Sequence, residues 1–102
     1  MLRYLEMVEG AKTWGEVWAI ADEARSLGEA LPTDCDGVSY GEVMGRKPVK
    51  AWTTSQLLDR LSDVEDILRS QNESHETNIE YVDEMIEILA VMRQRSRARM
   101  AA

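Results

Sequence analysis

Several groups of side chains in this 102-residue sequence have the types that chemistry needs, and their spacing decides what they can do. Asp34, Cys35, Asp36 and Glu42 fall within one loop. A calcium loop needs oxygen ligands at alternate positions over twelve residues and a closing bidentate glutamate. This spacing lacks that order, so the four read as polar turn residues. His75 has Glu76 and Glu80 near it. Zinc needs three or four protein ligands, and the single His and single Cys stand forty residues apart. No metal site is expected.

Cys35 as a nucleophile would need a depressed pKa and an oriented base, and no candidate for the base presents itself. Gly37, Gly41 and Gly45 recur at every fourth position ahead of Lys47. That pattern matches neither the phosphate-binding loop nor the dinucleotide fingerprint, and the loop's own acids oppose a phosphate. No cofactor and no catalytic residue is assigned. Carboxylates are plentiful further on, but general-acid work requires one of them to be buried. The expectation is a protein that is not an enzyme; an active site would have to be assembled from several chains.

Arg93, Arg95, Arg97 and Arg99 form a basic tail over residues 93–102. Alternate positions on a helix stand about 200° apart, so the four do not line up as a groove-reading face. Three readings remain: they complement the helix dipole, dock on the acidic surface of a neighbouring subunit, or touch phosphates. The net charge of −7 argues against broad nucleic-acid binding, which needs a positive field. It suits a basic protein partner, and it also suits simple solubility.

The elements that must position these groups centre on residues 53–92, forty residues without glycine or proline that carry ten acids against two arginines. Leu57, Leu61, Val64 and Leu68, then Val82, Met85, Leu89 and Met92, recur at three- and four-residue steps. Each set therefore occupies one helical face, with a strongly negative face opposite. Three pairs have the spacing of a capping box: Thr13 with Glu16, Thr53 with Gln56, and Thr77 with Glu80. Helices are expected near 13–30, 54–71 and 78–98, with a short helix before Gly10.

The helix after Thr13 carries Trp14, Val17, Trp18, Ala21, Ala24 and Leu27 on one stripe, and Gly28 weakens its last turn before Pro32 stops it. Trp14 and Trp18 are either core anchors or binding hot spots. Residues 32–52 hold three glycines and two prolines and keep no long period. A connection of that length is either pinned over the core or is a functional surface. Tyr40, Met44 and Lys47 are its candidates for partner binding, offering aromatic, soft apolar and charged contacts together.

Residues 71–78 contain no apolar side chain, which favours a turn and a helical hairpin. The alternative is one long C-terminal helix in a dimeric coiled-coil-like assembly, with Gln71, His75 and Asn78 as polar seam layers. In the last helix Glu80, Asp83, Glu84 and Glu87 should face outward. Ile88 and Val91 widen its apolar surface beyond what one antiparallel neighbour covers. That excess predicts a homodimer or higher oligomer built on Val82, Met85, Leu89 and Met92.

The sequence therefore reads as all-α: one small helical bundle over residues 1–102, with a C-terminal helical hairpin. One cysteine, no signal-peptide pattern and no run of eighteen apolar residues make a cytoplasmic protein without membrane contact the expectation. The function class expected is a non-enzymatic helical interaction or assembly protein whose partner meets apolar and aromatic surface. The alternative is an acidic inhibitor or nucleic-acid mimic. It would occupy a basic groove through a band of Asp59, Asp63, Asp66, Glu73, Glu76, Glu80, Asp83, Glu84 and Glu87, with Asp83, Glu84 and Glu87 as its test residues.

Overall fold

A computed structural model describes residues 14–32, 34, 37–70 and 75–101, with side-chain surroundings given for 15–32, 34, 37–70 and 79–100. Every regular element among the described residues is helical: α1 (Trp14–Ala30), α2 (Tyr40–Val43), a 3-10 turn (Val49–Ala51), α3 (Thr54–Ser70) and α4 (His75–Ala101). The helix expected before Gly10, the Thr13 half of the first capping pair, the Trp14 side chain, Cys35, Asp36 and the side chains of His75 and Thr77 lie outside the described residues. The protein is all-α.

The Thr53 capping box forms as its spacing predicts. The Thr53 amide donates to Gln56 Oε1 at 2.8 Å, and the Gln56 amide donates to Thr53 Oγ1 at 3.1 Å. Two donors at the start of α3 are thereby satisfied. The Thr54 amide donates to Asp34 Oδ1 at 2.7 Å, so Asp34 adds a negative charge at the positive end of the helix dipole.

α3 and α4 run antiparallel, since Arg60 meets Glu84 while Thr54 meets Arg95. The hairpin is thus realised, with α3 ending at Ser70 and α4 starting at His75, three residues before the expected Asn78. α1 is antiparallel to α3 and parallel to α4: Arg25 pairs with Glu65, Glu23 with Arg93, and Ala30 lies beside Arg99. The result is an up–down–up three-helix bundle. Its 27-residue α4 would span about 40 Å, close to the 42 Å long axis of the molecule.

Val17, Ala21 and Ala24 of α1, Leu57, Leu61, Val64 and Leu68 of α3, and Val82, Met85, Ile88, Leu89, Val91 and Met92 of α4 make up most of the core. Gly28 also has a packing reason. A Cβ there would lie 2.7 Å from Leu58 Cδ2 and 2.9 Å from Met92 Cε, so glycine lets α1 close on both neighbours. The apolar excess of α4 that the sequence assigns to a second chain is covered within the same chain: Ile88 and Val91 are buried on the stripe of α4 that also carries Glu84 and Arg95, which faces α3 and the 3-10 turn. Val82, Met85, Leu89 and Met92 all lie inside this single-chain core.

Candidate functional site

The long connection makes an excursion. Its base is closed where Asp34 meets Thr54, yet Tyr40 reaches Asp63, more than two turns along α3. The chain therefore runs out beside the α3–α4 seam, on the side away from α1, and returns. We refer to residues 37–53 as the strap.

The strap is fastened by groups from both hairpin helices. The Tyr40 hydroxyl donates to Asp63, which pushes the phenol pKa above its ordinary value of 10.0; burial adds to the shift. The Tyr40 ring stacks on Trp52 with centroids 6.3 Å apart and lies 5.5 Å from the Arg60 guanidinium. Gln56 Nε2 donates to the Val38 carbonyl at 2.9 Å. Trp52 is 3% exposed, and its Nε1 donates to the Lys47 carbonyl at 3.1 Å. Arg95 donates to Thr54 Oγ1 at 3.0 Å, to the Lys50 carbonyl at 3.2 Å and to the Trp52 carbonyl.

Under the strap, Arg60 donates to both carboxylate oxygens of Glu84, one at 2.9 Å, and lies 5.9 Å from the Tyr81 ring. Glu84 is thus drawn into the seam, contrary to its expected outward place, because burying a guanidinium requires an opposite charge beside it. On the other side of the bundle, Glu65 accepts from Arg25 and Arg69, and the Arg69 guanidinium sits 4.3 Å over the half-buried Trp18 ring. Burial alone would push the Glu65 carboxyl up, but the two arginines outweigh it and hold the group below its ordinary value of 4.5.

The remaining candidates separate into two surfaces. On the strap, Met44 is 43% exposed and Val38 37%, and Arg46, Lys47 and Lys50 are exposed without an ion pair to a described residue. On the hairpin, Asp59 and Asp66 of α3 and Glu80, Asp83 and Glu87 of α4 are exposed and likewise make no ion pair with a described residue. Glu80, Asp83 and Glu87 form one helical stripe. Glu73 and Glu76 lie outside the residues whose side chains are described. The structure does not bring Trp18 near Tyr40, Met44 or Lys47; α1 and the strap sit on opposite sides of the hairpin.

Three arginines of the expected basic tail belong to the body of the fold, as α4 continues through them. Arg93 makes two bonds to Glu23, at 2.7 and 2.8 Å, Arg95 holds the strap, and Arg99 donates to the Ala30 carbonyl. Sequence reasoning missed these roles and those of Arg60, Trp52 and Asp34. One signal was present for Arg60, which lies three residues after Leu57, next to the apolar stripe. Clefts of about 170 and 270 Å³ flank Leu31, where Arg95 and Arg99 face the carboxylate of Asp34. Among the described residues no group of three or more His, Cys, Asp or Glu is placed to hold a metal ion, and no helix is long and apolar enough to cross a membrane.

Comparison with protein-family models, with curated proteins and with solved structures finds no match to this chain.

Proposed function

We propose that this chain is a non-enzymatic helical interaction protein that meets a basic partner through the acidic outer face of the α3–α4 hairpin. The observation that carries this reading is what folding leaves over. The apolar stripes are consumed inside one chain, while Asp59, Asp66, Glu80, Asp83 and Glu87 remain exposed and unpaired with any described residue. A partner on this face is attracted by charge, which raises the rate of encounter and fixes orientation.

Binding of that kind weakens as salt rises. Capture of the partner from the native cell should succeed at about 50 mM salt and fail at about 500 mM, where the screening length falls toward a few ångströms. Charge reversal at Glu80, Asp83 and Glu87 should abolish capture at the lower salt as well. Glu84 is left unchanged, since reversing it would place like charge against Arg60. A partner retained at high salt and by the reversed variant would refute the acidic face as the docking site.

The helical spacing of the carboxylates favours a second reading, an inhibitor that occupies a groove made for nucleic acid. It predicts the same salt dependence, and in addition that a short DNA duplex competes for the captured partner.

A further inference from the structure

We propose that the basic surface meeting this acidic face is the strap of a second copy of the same chain. The inference rests on the acidic-face reading and names its partner. The strap has the complementary chemistry: Arg46, Lys47 and Lys50 are exposed within five residues and outweigh the exposed Glu42, and two of the three large apolar side chains exposed among the described residues, Val38 and Met44, lie on it. An apolar centre with a charged surround is the composition of a docking surface. The strap is also held in shape before any partner arrives. Asp63, Gln56 and Arg95 each fasten it, so little ordering cost falls on association.

Placement allows the contact to be reciprocal. The strap crosses beside Asp63 on α3, while Glu80 and Glu87 lie one turn either side of Glu84, which faces the same seam from α4. Strap and acidic stripe therefore border one face of the molecule. A two-fold pair seats each strap against the other copy's stripe at once, and twofold dimers are the commonest closed assembly.

The net charge gives this pairing a salt signature. Each copy carries −7, so at about 10 mM salt, where screening extends to roughly 30 Å, two copies repel as whole molecules. Near about 150 mM the range falls to roughly 8 Å, which removes that repulsion while contacting pairs keep part of their attraction. At about 1 M those pairs are screened as well. Self-association should be strongest at intermediate salt, whereas a foreign cationic partner binds best at the lowest.

Sedimentation equilibrium of the full chain over these three salt concentrations is the test, with circular dichroism confirming that each variant folds. Wild type should approach twice its 11.6 kDa mass near physiological salt and dissociate toward both extremes. R46E/K47E/K50E alone and E80K/D83K/E87K alone should each be monomeric, and an equimolar mixture of the two should form a dimer. A wild type that stays monomeric at all three concentrations overturns the proposal, as does a strap variant that still dimerises. Binding of monomeric wild type to phosphatidylserine vesicles, lost in the strap variant, also overturns it in favour of a lipid surface. Failure of the acidic-face reading looks different. An oligolysine peptide bound by wild type and lost in E80K/D83K/E87K leaves that reading standing whatever the oligomeric state, while equal binding by both removes it.

Discussion

Arg60 is 8% exposed and owes its place to Glu84, which takes two of its N–H groups, while Tyr40 and Tyr81 cover it from either side. Removing one member of such a pair leaves an uncompensated charge in a desolvated site. Glu84→Ala should therefore cost about 2–3 kcal/mol, below the full value for a buried pair because the carboxylate is 20% exposed. In a chain of this size the melting temperature should drop by roughly 10 °C, read by calorimetry. Glu65 gives the pH dependence. Its folded pKa lies below 4.5, so in the window between the two values the unfolded chain binds more protons than the folded one. The stabilisation is fully present above about pH 4.5 and is lost as pH falls through the folded value. Denaturant melts from pH 6 downward should show a shallower acid decline in Glu65→Gln than in wild type.

At the scale of elements, the strap and the end of α4 depend on one another through Arg95. Its guanidinium is the shared donor for the Lys50 carbonyl, the Trp52 carbonyl and the Thr54 hydroxyl. Arg95→Ala should cost about 2 kcal/mol, since it leaves acceptors around Trp52 without their charged donor. Loosening should be local. Amide exchange at Ala51 and Trp52, whose N–H groups bond to Pro48 and Val49, should quicken before that of the α1–α4 contact. Uniform acceleration along the chain would show that Arg95 supports the whole bundle instead of the strap.

For the whole molecule, the decisive fact is that α4 contacts two helices of its own chain. Leu89 is 5% exposed and packs within that core. Leu89→Asp puts a carboxylate where no cation waits for it, a cost of several kcal/mol set against a total stability of about 5–15 kcal/mol. The variant should lose its cooperative melt. A folded, monomeric Leu89→Asp would instead mean that this face joins two chains. The proposed self-association is thereby separated from folding, because the charges that carry it lie on the outside of a bundle complete in one copy.

What the sequence determined on its own is local and periodic. Apolar steps of three and four residues placed the core faces of α3 and α4, and the Thr53–Gln56 pair marked where α3 begins, because both signals depend only on helical geometry within a few residues. The reversal of direction between α3 and α4 was favoured by the polar stretch after Ser70, although His75 to Asn78 of that stretch belong to α4. Tertiary structure alone decided what each face meets. Ile88 and Val91 looked like surface for a second chain until α3 and the strap closed over the stripe they share with Glu84 and Arg95, and Glu84 looked like one more outward acid until Arg60 lay opposite it. Arg95 and Arg99 share one face of α4 and Arg93 lies on another, but position on a helix does not say what an arginine meets. Their partners, Glu23, the Trp52 carbonyl and the Ala30 carbonyl, lie 43 to 70 residues away in the chain. No pattern within one helix encodes contacts at that separation; they exist only once three helices and the strap have packed.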